Sequence, residues 1–207
     1  MPRHTTLETA SAFNRPITFA LVVFSLASTL LLAGCGKGAG GGSGLHVKSP
    51  ATGEKDMTVK SGFAFAVTKT FTDTSNKITT AATYNVYAAN YDLDGSFFAQ
   101  TINKPMTADD NLRVTFSLVG DQGGTEKSAL MAGTYSAKAD KFMKAETVGI
   151  ISRKGGADNT VWLDRGTVTG DVKVTSVSGD TLAGEIDLTS GETTIKGSFT
   201  AKILTRK

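Results

Sequence analysis

Hydrophobic and polar residues alternate with a period of two along most of the chain beyond residue 45. In 63–71 and 112–118, phenylalanine, valine and leucine are separated by small or polar residues. This pattern is typical of β-strands with one face on a core and the other in water. Further strands are predicted at 79–91, 97–102, 129–137, 147–152 and 160–163.

The C-terminal part, 167–204, has the clearest alternation. The residues predicted to point inward are Val168, Val172, Val174, Leu182, Gly184, Ile186, Leu188, Ile195, Gly197, Phe199, Ala201 and Ile203. Between the three runs lie Ser178-Gly179-Asp180 and Ser190-Gly191-Glu192, in which glycine supplies the positive φ of a tight hairpin turn. We therefore expect a three-stranded antiparallel meander.

The sequence shows little helical pattern. We expect at most one short helix or helical turn, at 137–144. Eight to ten short strands joined by glycine-rich turns are typical of an all-β domain. We expect an antiparallel β-sandwich, with a small open β-barrel as the alternative. The phenylalanines would fill the core of a sandwich or line the hollow interior of a carrier, and periodicity does not distinguish these outcomes.

The N-terminus has the composition of a secretory signal. Arg3 and Arg15 precede an uncharged apolar run at 17–32, followed by Ala33-Gly34-Cys35. The run has sixteen residues, whereas a membrane-spanning helix needs about 20. An uncleaved anchor is the less favoured alternative.

The motif Leu32-Ala33-Gly34-Cys35 resembles the lipobox of bacterial lipoprotein precursors. The resemblance implies cleavage after Gly34, lipid on the thiol of Cys35, and acylation of the new amine. The expected organisation is a signal peptide at 1–34, a lipidated cysteine with a Gly-rich tether at 35–44, and one β domain at 45–207. Gly36 in place of aspartate favours the outer membrane in a Gram-negative cell.

The segment 166–201, with Ala132-Gly133-Thr134-Tyr135 upstream, resembles the C-terminal part of secreted bacterial β-sandwich lipoproteins. The likeness consists mainly of strand and turn patterns. It implies a fold and an extracytoplasmic location, and it carries no catalytic or ligand-binding residue.

Charge and cysteine content exclude several classes of function. Loss of Arg3, Arg15 and Glu8 with the signal lowers the net charge from +3 to +2, so there is no electrostatic case for nucleic acid binding. With one cysteine a disulfide framework is impossible. His46 is the one histidine of the mature chain, and we interpret it as a solvated surface residue and not as a catalytic base.

Acidic residues provide weak candidate sites. Asp92-Leu93-Asp94-Gly95 has the opening pattern of a Ca²⁺ loop, which makes Asp92 and Asp94 the metal candidates. The later ligands of such a loop are missing, so a plain hairpin turn is the favoured interpretation. Paired carboxylates, here Asp92 with Asp94 or Asp109 with Asp110, are what a glycosidase would need. No other cofactor is expected.

Aromatic residues provide a candidate ligand platform. Tyr84, Tyr87, Tyr91 and Trp162 are available, and a period of two puts Tyr84 on the face opposite Tyr87 and Tyr91. Tyr87 and Tyr91 are therefore the ligand candidates, with ordinary packing as the alternative.

We expect a membrane-anchored cell-envelope lipoprotein that acts without catalysis, as a module that binds or scaffolds an envelope protein, glycan or lipid. The alternatives are a carrier of lipid or another small apolar ligand and, less favoured, a carbohydrate-active enzyme with paired carboxylates. A cavity would favour the carrier and an acid pair in a groove the enzyme.

Overall fold

A computed structural model describes residues 43–93 and 105–205. The strands in these residues are β1 Gly44–Ser49, β2 Gly53–Thr58, β3 Ser61–Thr72, β4 Ile78–Ala89, β5 Leu112–Gln122, β6 Gly133–Ser136, β7 Lys144–Lys154, β8 Ala157–Trp162, β9 Thr169–Ser178, β10 Thr181–Ser190 and β11 Thr193–Leu204. The two described ranges contain no helix, so the predicted all-β class is confirmed. Nor do they contain a helix long and apolar enough to cross a membrane.

The strands belong to one mixed sheet whose pairings close on themselves. The hydrogen-bonded order runs β3-β4-β5-β7-β6-β9-β10-β11, and β11 returns to β3 through a parallel pairing from Lys202 to Leu204. A single parallel bridge, Ser136 with Lys144, joins β6 to β7. The β1–β2 hairpin pairs with the first half of β11, outside this ring. The ring follows the barrel alternative more closely than a sandwich of two separate sheets.

The interior of the ring is filled by side chains. Phe116 on β5 and Phe199 on β11 meet edge to face, with ring centroids 5.0 Å apart. Two other strands separate β5 from β11 in the sheet, so this contact crosses the interior. One buried cluster continues around the pair and includes Tyr135, Val86 and Leu182. At this level the barrel is a packed core and not a channel.

Strand β3 alternates as predicted, but it does not send its phenylalanines into the core. Ala64 is fully buried inside, whereas Phe63 and Phe65 are half-buried on the outer face and Val67 is exposed. Large side chains from other strands, such as Phe116 on β5 and Phe199 on β11, already occupy the interior. Small residues therefore fit there, and the expectation that most phenylalanines fill the core is wrong for β3.

The predicted C-terminal meander is confirmed as β9, β10 and β11. Gly179 and Gly191 occupy its two turns with φ of 57° each, which favours glycine in such hairpins. Of the residues predicted to point inward, Gly197 is exposed. Its φ of 131° interrupts the alternation where β1 joins β11.

Local predictions differ from the structure at two places. The strand expected at 129–137 is only Gly133–Ser136. The segment 137–144, where at most a short helix or helical turn was expected, contains no helix. In that segment Met143 has a φ of 49°, donates its amide to Gly120 and accepts from Ser136, which ties it to the sheet. Strands β1 and β2 were not predicted, because β2 has one apolar residue, Met57, and offers almost no alternation.

Several predictions lie outside the described residues. These are the signal peptide at 1–34, Cys35, most of the tether and the strand at 97–102. The first strand in the described residues, β1, begins at Gly44.

Candidate ligand-binding trough

The outer face of β4, β5, β7 and β8 forms a trough of about 380 Å³. One row of the sheet runs across it, pairing Tyr87 with Thr115, Thr115 with Gly149, and Gly149 with Trp162. The row therefore has an aromatic residue at each end and two small residues between. Among the described residues the lining includes Asn85, Tyr87, Thr115, Ser117, Thr160 and Trp162.

Trp162 forms one wall, on the outermost of these strands. Its side chain is 59% exposed. Its ring also leans over Gly149, since a Cβ added to that glycine would lie 2.5 Å and 2.6 Å from ring carbons Cζ3 and Cε3. Glycine is thus the residue that admits the indole, and the packing holds the exposed ring in one orientation.

Tyr87 forms the opposite wall and is supported from behind by Phe65. The two rings stack with centroids 5.8 Å apart and an interplanar angle of 16°. Burial raises the pKa of Tyr87, an effect that the nearby Arg113 charge opposes. The Tyr87 hydroxyl is therefore a protonated donor throughout the physiological pH range.

The floor between the aromatic walls is polar although it is hardly exposed. Thr115 and Ser117 on β5 are 9% and 6% exposed. The Ser117 hydroxyl donates a 2.7 Å hydrogen bond to Oδ1 of Asn85. A few fixed polar groups among larger apolar surfaces are typical of a small-molecule site.

A β-bulge lies beside the floor. The pairing of β5 with β7 shifts between Thr115 and Ser117, and Thr147 at this point has a φ of 52°. A left-handed conformation is costly for a β-branched residue, and such strain and such bulges concentrate at functional sites. Arg165 donates to Oγ1 of Thr147 over 3.1 Å and places a cation at this end of the trough.

The other end of the trough carries Arg113 and Asp158. Arg153 donates to Oδ1 of Asp158 over 2.8 Å. Arg113 lies near Tyr91, where its charge partly offsets the rise in pKa that burial causes. Basic groups therefore stand at both ends of the polar floor.

Of the two predicted ligand residues, the structure brings only Tyr87 into the lining. Tyr91 lies past the end of β4, and its hydroxyl is buried near Arg113. Tyr84 is in the core, on the opposite face, as the period predicted, and its hydroxyl donates to the Ser128 carbonyl over 2.9 Å. Trp162 was one of several aromatic residues in the sequence, and no local signal linked it to Gly149.

The described acidic residues that were predicted as site candidates lie outside the trough lining. Asp92 is exposed just beyond β4, and Asp94 lies outside the described residues. Within 43–93 and 105–205, no three His, Cys, Asp or Glu side chains are grouped closely enough to hold a metal ion. Asp109 accepts hydrogen bonds from the amides of Gly155 and Gly156, at 2.8 Å and 3.1 Å, and thus has a structural contact.

His46 lies on the β1–β2 hairpin, away from the trough. Its side chain is partly exposed, with Nδ1 2.8 Å from Oδ1 of Asp56 and Nε2 3.3 Å from Oε1 of Glu54. These partners are on the same hairpin, and no described residue of the trough lining is a histidine.

A second cavity, of about 750 Å³, lies at the end of the barrel beyond β11. Ala66, Tyr84, Val177 and Ile203 contribute apolar or aromatic surface to it, and Lys127 is among its lining residues. Strand β11 ends at Leu204, level with Phe65, while β3 continues to Thr72, so the wall is open at this point.

No protein-family model, curated protein or solved structure matches this chain. The residues of the trough and of the cavity therefore carry the indications of function.

Proposed function

We propose that this protein is a membrane-anchored lipoprotein of the cell envelope whose β domain is a non-enzymatic carbohydrate-binding module. The observation that carries the proposal is the trough in which Trp162 and Tyr87 face each other across a polar floor. The lipid anchor rests on the lipobox resemblance at Cys35.

A sugar ring matches this arrangement because it has an apolar face of C–H groups and a rim of hydroxyls. The exposed indole of Trp162 offers a rigid apolar surface for the ring face, since its packing on Gly149 limits its rotation. The Tyr87 hydroxyl and the polar groups of Asn85 and Thr160 are placed to bond the hydroxyl rim. Ordering two or three rigid groups costs less entropy than ordering long flexible chains.

The composition of the lining favours binding over hydrolysis. A glycosidase of the common type needs two carboxyl groups about 5 to 9.5 Å apart. The described lining residues include one carboxylate, Asp158, which is paired with Arg153. The carbohydrate-active enzyme is therefore the less favoured alternative.

The binding proposal is tested by titrating the purified full-length chain with envelope-derived oligosaccharides. Trp162 is the one tryptophan of the sequence, so a change in intrinsic fluorescence reports directly on the trough. We expect Trp162→Leu to abolish binding measured by calorimetry and Trp162→Phe to retain part of it. Ile78→Ala, which removes another exposed apolar side chain outside the lining, is the matched control. Equal affinities for Trp162→Leu and the original chain would refute the proposal.

The anchor is tested separately, by metabolic labelling with a fatty acid in a bacterial host followed by membrane fractionation. Because Cys35 is the sole cysteine, Cys35→Ala should lose both the label and sedimentation with membranes. Lys37→Ala keeps the cysteine and should behave as the unaltered chain does. Label retained on Cys35→Ala would show that the lipobox interpretation is wrong.

A second candidate function, a carrier of an apolar ligand, is favoured by the 750 Å³ cavity at the barrel end. Its volume lies within the range of about 300–1,000 Å³ that ligand sites occupy. Native mass spectrometry of protein purified from the envelope tests it. A retained mass of lipid size that Val177→Trp eliminates would support the carrier, and a bare chain would count against it.

A further inference from the structure

The cavity at the end of the barrel has apolar walls that the core leaves partly uncovered. Ala66, Val177 and Ile203 line this cavity and pack against the buried cluster, but each of them is only half-buried. Tyr84 adds aromatic surface, because its hydroxyl is already bonded to the Ser128 carbonyl over 2.9 Å. Apolar surface of this kind is stabilised when a hydrocarbon group covers it.

The charged residues of the lining come from a single loop, between β5 and β6. Glu126 and Lys127 are both exposed there. The Glu126 amide donates to Oγ1 of Thr68 over 2.9 Å, and the Thr68 hydroxyl donates to the Glu126 carboxylate, so the loop is held against β3. The lining is thus apolar on several strands and charged on one exposed side. This division suits a ligand with a hydrocarbon chain and a polar head that stays in water.

The course of β1 shows from which end the chain enters the β domain. Strand β1 is antiparallel to β11, so the residues that precede β1 lie towards the C-terminal end of β11. Ser43 donates from its hydroxyl to Oγ1 of Thr200 over 2.9 Å. Ile203 in the cavity lining follows Thr200 by three residues, or about 10 Å along the strand. The chain therefore enters the domain at the end where the cavity opens.

Covalent length limits how far this entry point can be from a lipid anchor. Cys35 and Ser43 are eight positions apart in the sequence. A fully extended chain spans at most about 3.6 Å per residue, so a lipid on Cys35 would keep Ser43 within about 29 Å of the bilayer. Because Ser43 and the cavity lie towards the same end of β11, the cavity belongs to the part of the domain that such an anchor keeps near the bilayer.

We propose that this cavity binds one acyl chain of a phospholipid from the bilayer to which the protein is anchored. The inference rests on the anchor proposed above, and it gives the apolar-ligand carrier a specific ligand and a source. The apolar walls bind the methylene groups, and the exposed loop with Glu126 and Lys127 leaves the head group in water. The entry point at Ser43 keeps the cavity within reach of such chains.

The test uses the full-length protein, purified with its lipid and reconstituted into phosphatidylcholine vesicles. A small fraction of the phosphatidylcholine carries a photoreactive diazirine at the end of one acyl chain. After illumination, peptide mass spectrometry locates the labelled residues. We expect label on the lining segments 66–68, 177–179 and 203–205. Flotation of the protein with the vesicles reports on the anchor independently.

Two tryptophan variants on β9 separate the cavity from the neighbouring surface. Val177→Trp should lower the label on these segments about tenfold, because the ring fills volume that several methylene groups would otherwise occupy. Ser176→Trp places the same side chain at the adjacent exposed position, outside the lining, and should retain the label. If Val177→Trp does not fold, the distribution of label on the unaltered chain still decides.

The outcomes distinguish this inference from the anchor. Protein that floats with the vesicles but carries no label on the three segments would overturn the inference and leave the anchor standing. Label spread evenly over the exposed surface would overturn it in the same way. Occupancy of the cavity by the acyl chain of Cys35 itself would exclude the phospholipid and also overturn it. Protein that does not float would refute the anchor and the inference together.

Discussion

The indole of Trp162 covers the backbone of Gly149, its directly paired residue on the neighbouring strand. The glycine leaves the space that the ring fills, and the ring in turn covers a residue that has no side chain of its own. Packing on Gly149 limits the orientation of Trp162, an exposed residue at the end of a short strand, and places its ring along one side of the trough. It also makes Gly149 as important to the candidate site as the aromatic residue itself.

Gly149→Ala should displace the indole, because the new methyl group would lie 2.5 Å from ring carbon Cζ3. We expect a shift in the emission of Trp162 and a loss of about 1–3 kcal/mol in the free energy of unfolding, the usual cost of overpacking. Urea titration followed by fluorescence measures both effects.

Gly166→Ala is the control for that measurement. Its nearest neighbour would be an Asp164 side-chain oxygen at 3.5 Å, an ordinary contact, so emission and stability should be almost unchanged. Identical behaviour of the Gly149 and Gly166 variants would mean that the ring does not depend on the glycine.

The contact between Phe116 and Phe199 predicts where the stability of the barrel is concentrated. Phe199→Ala removes one of two rings that meet across the interior and should cost about 3–5 kcal/mol. Phe71→Ala removes a ring that meets Phe142 on partly exposed surface and should cost clearly less. Thermal and urea unfolding compare them, and equal losses would contradict a core centred on Phe199.

Local alternation was sufficient to predict strands that pair with their sequence neighbours. Strands β9, β10 and β11 follow one another through short glycine turns, so pattern and turn chemistry together define the meander. The pairing of β11 with β3 joins Lys202 to Phe63, and no local pattern indicates such a distant partner. The choice between sandwich and barrel depends on that one pairing.

For the candidate site, too, the sequence predicted local features and not the contacts between distant strands. Tyr87 could be assigned to an outer face from the period of two on β4. The opposition of Tyr87 and Trp162 depends on register across three strand pairs, and the bulge at Thr147 shifts that register by one residue. The side of β3 that faces the core depends on the volume already filled by Phe116 and Phe199, which a single strand does not reveal.

Tyr135 should be the last tyrosine to ionise. Burial raises the pKa of Tyr135 to about 12. In the folded chain its hydroxyl donates a 2.8 Å hydrogen bond to the Met131 carbonyl. The unfolded chain releases this proton near pH 10. The stability contributed by the protonated Tyr135 side chain is therefore fully present below pH 10 and is lost as the pH rises towards about 12.

Ultraviolet absorbance of tyrosinate measures that titration. Tyr135→Phe should eliminate the step of highest pKa and reduce the loss of stability in strong alkali. A variant that loses an ordinary step instead would place Tyr135 at the surface, contrary to its burial in the core.

The loop before β5 should control the order of the turn that joins β7 to β8. The carboxylate of Asp109 accepts the amides of Gly155 and Gly156, and Asp109→Ala should release both. Since Asp158 and Trp162 are carried on β8, we expect weaker ligand binding together with faster amide exchange at the two glycines. Asp110→Ala, at the adjacent exposed position, is the control and should leave both properties nearly unchanged.

The same contact predicts a pH dependence of known sign. The amides of Gly156 and Gly155 hold the pKa of Asp109 below its usual 3.8, so the folded chain binds this proton less readily than the unfolded chain. The stabilising contact is therefore complete above pH 3.8 and is lost as the pH falls through the lower folded-state pKa. Amide chemical shifts of Gly155 and Gly156 should follow this transition in the unaltered chain and in Asp110→Ala. A transition that persists in Asp109→Ala would show that another group holds the turn.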